Sequence, residues 1–260
     1  MGVYRESLNE VCGAVESIKK QSFDDWELII CTDGVKDAEV IKLLDEYAAS
    51  DSRIHVIKQK ENHGLGSALN RCLERASGKY IARMDADDIS APYRLEWQIR
   101  ELKNHPEAQF CGCAAVLFDS RGFWSVSHRP SLPGKRDFLR YSPYIHPTVV
   151  FRSSVFKEGN EKYSEDKMMR RCEDYELFLR LWLKGCFGRN MQDVLYRYRV
   201  DRNAYHKRGL NDRVNEMRMR WVCFGKMSVA VPVRIICSLR PLLSAFAPAY
   251  LLRKLKPMDP

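Results

Sequence analysis

The chain has 260 residues, 45% hydrophobic and 30% charged. It has no low-complexity stretch and no internal repeat, which excludes a disordered or solenoid protein and suits one globular domain with an elaboration, or two small domains. The net charge of +9 is uneven: Arg197 to Pro260 carries 14 Lys/Arg against 4 Asp/Glu, leaving 29 against 30 in the first 196 residues. A basic end of this kind suits nucleic acid or an anionic membrane surface.

The elements alternate through the first half. Ser7 with Glu10 three residues on is a capping-box pattern, and Leu8, Val11, Cys12, Val15 and Ile18 then recur at helical spacing. Trp26–Thr32 is an apolar strand ending at Asp33-Gly34. Asp37 can cap a second helix with the face Val40, Ile41, Leu44 and Tyr47. Ile54–Ile57 is a short strand, Asn62–Gly66 a turn, and Leu65 to Ala76 a third amphipathic helix. Tyr80–Met84 is the next strand. Pro92 suits the first turn of a helix running to about Asn104, and Phe110–Phe118 is another strand. This βαβα rhythm implies a mostly parallel sheet with helices on both faces, and ligands in such sheets bind at the carboxyl ends of the strands.

The second half is less regular. His146–Phe151 and Val194–Val200 read as strands, and Asp174–Lys184 as a strongly apolar helix. Val229 to Leu252 is apolar apart from Arg234 and Arg240. Its uncharged run Pro241–Leu252 is 12 residues, short of the roughly 20 needed to span a bilayer. Two readings stay open: an interfacial segment flanked by Arg240, Arg253, Lys254 and Lys256, or a helix packed on the body of the protein. Aromatic and basic residues are not interleaved as in a base-stacking platform, so no nucleic-acid partner is expected. Nine cysteines include no Cys-x-x-Cys pair, and Cys111-x-Cys113 is too tight for ordinary zinc spacing. Reduced, buried thiols in a cytosolic protein are the expectation.

The most informative stretch is Tyr80-Ile-Ala-Arg-Met-Asp85-Ala-Asp87-Asp88. A strand-like run ends in three carboxylates within four positions. In extended backbone Asp85 and Asp87 project to one side, where they repel each other unless a hard divalent cation sits between them. The plainer alternative is an acidic turn with Asp88 capping the next helix. Asp33 also follows a strand, so both acid groups fall on the ligand edge of the sheet.

Taken in order, these residues resemble glycosyltransferase family 2, inverting enzymes with the GT-A fold. The likeness covers roughly residues 2–205. Gln21-Ser22-Phe23 with Trp26–Ile30 is similar to the family's "NQTF…ELIIVDDGS" passage, and Asn62-His63-Gly64 with Asn70 to its N-x-G…N segment. Gly78–Asp88 is similar to its DxD region, His146–Arg152 to its acceptor-side strand, and Glu173–Arg180 to its "EDYDLWLR" helix. The resemblance implies an α/β, Rossmann-like, mostly parallel central sheet with helices on both faces, over residues 1–205. Residues 206–260 form a basic, helical C-terminal tail.

The resemblance also implies transfer of a sugar from a nucleotide diphosphate, a UDP-sugar foremost, to a glycan or lipid-linked acceptor hydroxyl. A divalent metal, Mn²⁺ or Mg²⁺, would assist. Asp87 is the leading metal ligand by resemblance, with Asp85 near it or near the ribose. Asp174 is the general base, with Glu173 beside it; acids that merely favour a helix N-terminus are the alternative. Val3, Tyr4, Arg5, Asp33, Gly64, Arg83 and Ala86 line the donor site. The basic tail would hold the protein at the inner face of the cell membrane. Three departures stand out. The opening strand is truncated at Val3, so the start lies upstream, the sheet closes differently, or stability suffers. Thr32 stands where the family has a base-recognition Asp. Asp201 occupies the position of a metal-contacting His, with His206 nearby. A catalytically weakened relative that binds a nucleotide or a protein partner without transfer is the competing expectation.

Overall fold

The computed structural model describes residues 1–202 and 209–246. The chain opens with β1 (Gly2–Val3) and α1 (Leu8–Lys19), and the capping box forms as its spacing predicts: the Ser7 N–H donates to the Glu10 carboxylate at 2.8 Å. Then follow β2 (Leu28–Asp33), α2 (Ala38–Ser50), β3 (Ile54–Gln59) and α3 (Leu65–Arg75). Asp37 caps α2, accepting from the Glu39 N–H at 2.9 Å. β1, β2 and β3 form a parallel sheet with β2 in the middle. Every residue of β2 is buried, because both its faces are covered. Leu28 and Ile30 pack with Val11, Val15, Val40 and Leu44, while Ile29 and Cys31 pack with Ala68 and Cys72 of α3. Two-sided burial is why this strand reads as an unbroken apolar run.

The short opening strand is paired on its β2 side. The Met1 nitrogen donates to the Ile29 carbonyl at 2.7 Å, and the Cys31 N–H donates to the Met1 carbonyl at 2.8 Å.

The second half of the sheet is mixed. β4 (Tyr80–Ala82), β5 (Ile89–Ser90), α4 (Arg94–Asn104), β6 (Phe110–Asp119), β7 (Gly122–Ser127), α5 (Lys135–Arg140), β8 (Val150–Arg152), α6 (Ser154–Lys157), α7 (Glu173–Leu183) and β9 (Gly188–Arg199) follow in order. The strand order is β4-β8-β6-β9-β5, with β7 added on β6. Only β6 and β9 run parallel here; the other pairs are antiparallel. Parallel pairing is thus shared between β1–β3 and the β6–β9 pair.

Three elements differ from the sequence expectation. The strand from Tyr80 stops at Ala82, and Arg83–Asp88 is a turn. Residues 146–148 are a 3₁₀ turn rather than strand, because Pro147 has no N–H for a ladder and Thr148 Oγ1 donates to the Ile145 carbonyl at 2.7 Å. The last strand begins at Gly188, six residues early, since its turn-like Gly188 and Asn190 are held by pairing with β6.

A second core is aromatic. Phe110 and Phe178 each meet Tyr144, with centroids 4.8 and 4.9 Å away, and Phe110 lies 5.2 Å from Phe151. After β9 come α8 (Leu210–Lys226) and α9 (Val231–Phe246). Met219, Cys223 and Phe224 of α8 join this second core. All nine cysteines are unpaired, six of them buried. Replacing Phe178, which has no exposed surface, by alanine is expected to cost about 3–5 kcal/mol in denaturant unfolding. Phe123→Ser, on an exposed strand, should stay within about 0.5 kcal/mol of wild type in the same measurement.

Candidate active site

The turn between β4 and β5 gathers acids. Carboxylate oxygens of Asp85, Asp87 and Asp88 all lie within 4.8 Å of one another. They converge because the backbone turns at Ala86 and Asp87, not because an extended strand alternates its side chains. Ala86 is buried beneath the turn. Asp88 does not cap a helix: its Oδ1 accepts from the Arg199 N–H at 2.7 Å, and α4 begins only at Arg94. Its Oδ2 is buried with no hydrogen-bond partner. Arg199 also donates from Nε to the Asp87 carbonyl at 3.0 Å, tying β9 to the turn.

Among the described residues, Arg83 is the cation ion-paired with one of these acids. Arg83 is buried and its Nη1 lies 2.5 Å from Asp85 Oδ1. Burial alone would lower the Arg83 pKa, but the Asp85 charge raises it. Asp87 is pushed up to about 7, first by burial and then by the charges of Asp85 and Glu6. Burial, and then Asp85 and Asp87, raise Asp88 well above the carboxylate range. A single guanidinium therefore leaves negative charge unmatched. The donors are hard oxygens, and one buried oxygen lacks a partner, which is the chemistry that suits Mg²⁺ or Mn²⁺.

A second acid pair opens α7. Glu173 is buried, with Oε2 unpartnered; burial and then the Asp174 charge push it up to about 7. Asp174, beside it, is half-buried. Arg83 links the two groups, since its charge also reaches Glu173. Tyr163 and Tyr198 each feel the charges of Asp85, Arg83 and Asp174. The two acid groups, 87 positions apart from Asp87 to Asp174 in the sequence, thus share one neighbourhood. His146 lies in the same buried network, its Nε2 2.8 Å from Tyr163 Oη; burial and then Arg83 hold its pKa well below the usual imidazole value.

At the end of β2, Asp33 is buried and organises the loop before α3. Its carboxylate accepts from Asn62 Nδ2 at 2.9 Å and from the His63 and Gly64 N–H groups at 2.8 Å each. Gly34 has φ +75°, and a Cβ there would lie 2.7 Å from the Asn62 nitrogen. Asp33 was expected to face a nucleotide base, but both its oxygens are engaged by this loop. The Gly64 N–H is likewise taken. The N–H groups of Tyr4 and Arg5, just past β1, donate to Glu6 Oε2 at 2.6 and 3.1 Å, and Val3 is buried.

Asp201 is not among the clustered carboxylates; Asp88 takes the third place in the group. His206 lies outside the described residues. Glu6, Tyr163 and Tyr198 were not singled out from sequence, and Asp88 only as a turn or helix-cap acid. Only Asp88, adjacent to the DxD pair, carried a local signal.

The model of glycosyl transferase family 2 matches residues 1–183. The chain is 33% identical over 255 residues to the putative glycosyltransferase EpsE of Bacillus subtilis, covering 98% of this chain and 90% of that one. It is 34% identical over 197 residues to AmsE, an amylovoran biosynthesis glycosyltransferase of Erwinia amylovora, covering 75% and 72%. The mannosyltransferase PcManGT of Pyrobaculum calidifontis, solved with GDP-Man and Mn²⁺, superposes with TM-score 0.61 at 18% identity, over 97% of this chain and 76% of that one. An acid turn at the strand ends, a second acid pair beside it, and a family match running unbroken through both have one consistent explanation: the chain belongs to glycosyl transferase family 2 and is a glycosyltransferase of the GT-A fold.

Proposed function

We propose that the protein moves a sugar from a nucleotide-diphosphate donor to a hydroxyl of a growing surface polysaccharide or lipid-linked glycan, with inversion at the anomeric carbon. The observation that carries this reading is the shared neighbourhood of the Asp85–Asp88 turn and the Glu173–Asp174 pair around Arg83. The Mn²⁺ and GDP-Man of the mannosyltransferase support a metal and a nucleotide sugar. AmsE, an amylovoran biosynthesis glycosyltransferase, supports a polysaccharide product.

Asp85, Asp87 and Asp88 would hold the divalent cation, which when bound supplies positive charge to the departing diphosphate. Arg83 pairs with Asp85 and holds its carboxylate in place at that site. Asp174 takes the proton from the acceptor hydroxyl as it attacks. It is the more exposed of the α7 pair, whereas Glu173 is buried and holds its proton up to about pH 7. Asp33 acts at one remove, fixing the 62–64 loop at the carboxyl edge of the parallel sheet.

Asp174→Asn should keep donor affinity and lower transfer by about 10²-fold or more, measured as nucleoside diphosphate release with acceptor present. Undiminished turnover would remove Asp174 from its role. A screen of UDP- and GDP-sugars with Mn²⁺ tests the reaction itself, and release from none of them would count against it.

The metal reading has a pH signature. The folded-state pKa of Asp87 lies above its ordinary 3.8, at about 7. Its contribution to stability is therefore present at low pH and is lost as pH rises through that window, by on the order of 4 kcal/mol. A bound cation replaces the proton. Mn²⁺ should raise Tm much more at pH 8 than at pH 5, where protons compete. Asp88→Asn should raise the metal-free Tm at pH 8, since it neutralises a buried unpaired carboxylate, and should shrink the Mn²⁺ shift. An Mn²⁺ effect that is equal at both pH values, or unchanged in Asp88→Asn, would count against these ligands.

A further inference from the structure

The two C-terminal helices carry features that sugar transfer does not use. The inner side of α9 is tied down: Arg213 Nη1 donates to the Pro241 carbonyl at 3.1 Å and to Ser244 Oγ at 2.6 Å, and Ser238 is buried. Its other side is apolar and exposed. Val231, Ile235, Ile236, Leu239 and Leu243 recur at helical spacing, with Ile236 67% and Leu243 62% exposed. Trp221 and Val222 of α8 are exposed too. The Arg234 guanidinium lies 3.8 Å from the Trp221 ring centroid, and its Nε donates to the Trp221 carbonyl at 2.8 Å, so α8 and α9 meet at this seam.

The charges around the patch are of one sign. From Met217 to Phe246 the sequence has no acidic residue and five basic ones, Arg218, Arg220, Lys226, Arg234 and Arg240, of which Arg218 and Lys226 are exposed. Burial, then the charges of Arg220 and Arg140, lower the Arg240 pKa, so guanidinium groups also crowd where the inner side of α9 meets the body. A continuous aliphatic stripe edged by cations fits a phospholipid surface: apolar side chains enter the acyl boundary and cations face anionic headgroups.

We propose that the outer face of α8 and α9 docks on the surface of an anionic phospholipid bilayer. Spanning is not the mode, because no described helix is long and apolar enough to cross a membrane. A second copy of the chain fits poorly, since a two-fold contact would set the same basic patch against itself. Nucleic acid fits poorly as well, because aliphatic side chains offer bases no stacking surface. The proposal is independent of the acid assignments above, though the two suit each other. α8 packs on α7 through Arg220, 5.0 Å from the Tyr175 ring, so docking would hold the helix bearing Glu173 and Asp174 close to the bilayer.

The test is co-sedimentation of the full chain with phosphatidylcholine vesicles, with and without phosphatidylglycerol, at about 0.1 M salt, where exposed charges still act over about 10 Å. Wild type is expected to partition roughly tenfold more strongly onto the anionic vesicles. Ile236→Glu and Arg218→Glu should each weaken that binding by about tenfold, while Phe123→Ser leaves it unchanged. Ile236→Glu should retain the wild-type Tm and its nucleotide-sugar turnover without vesicles, which separates loss of docking from loss of folding or chemistry. Equal binding to both vesicle types, or none, overturns the proposal. So does a wild-type dimer in sedimentation velocity that Ile236→Glu returns to monomer without any vesicle binding.

Discussion

Three carboxylates crowd a turn in which one of them, Asp85, is paired with the buried Arg83 guanidinium. That imbalance organises the rest of the site. Arg83 can neutralise Asp85, its partner at 2.5 Å, but not Asp87 and Asp88 as well. Water could have relieved the repulsion on an open surface. Here burial raises both remaining acids, and an unpartnered oxygen of Asp88 is left inside. Such an arrangement costs stability in the metal-free protein and is retained only where something uses it. A divalent cation with a diphosphate is a pair of charges matched to that deficit.

The scaffold explains how the turn is held against its own repulsion. It is gripped from β9, where Arg199 bonds both the Asp88 carboxylate and the Asp87 carbonyl. It is gripped from below by Arg94, whose Nη2 donates to the Arg83 carbonyl at 2.7 Å, and by Gln98, which accepts from Arg94 at 2.9 Å. Both of those side chains are wholly buried polar groups. The opposing acids on α7 are positioned by a different core, the aromatic cluster around Phe110, Tyr144 and Phe178. Two cores therefore meet at the site, one carrying each half of the proposed chemistry, with Arg83, Tyr163 and His146 filling the space between. α8 buttresses the second core, so the C-terminal helices are part of the catalytic unit's packing and not an appended tail.

Much of this was legible in the sequence where local rules act. The capping residues Ser7 and Asp37, the apolar run of β2 and the periodic faces of α1, α2 and α3 depend on neighbours within a turn or two, and all appear where the pattern places them. The acid cluster was visible for the same reason. Its geometry was not: the alternation argument supposed extended backbone, whereas a turn draws Asp85, Asp87 and Asp88 together. Asp201 was assigned to the cluster by position along the chain, but Asp88 occupies that place. Asp33 presented itself as a ligand-facing acid after a strand, yet its carboxylate is spent on the His63 and Gly64 amides.

What the sequence alone determined is the helices and most of the strands of the first half, the family likeness and the acid run Asp85–Asp88, because helix period, capping and motif spacing are properties of short stretches. Tertiary structure alone decided which charges meet. Arg83 stands between Asp85 and Glu173, and Tyr163 and Tyr198 lie among acids distant in the chain. Coulomb interaction and desolvation depend on distance through space and on burial. Neither is encoded at any one position, and both arise only when the two cores close on each other.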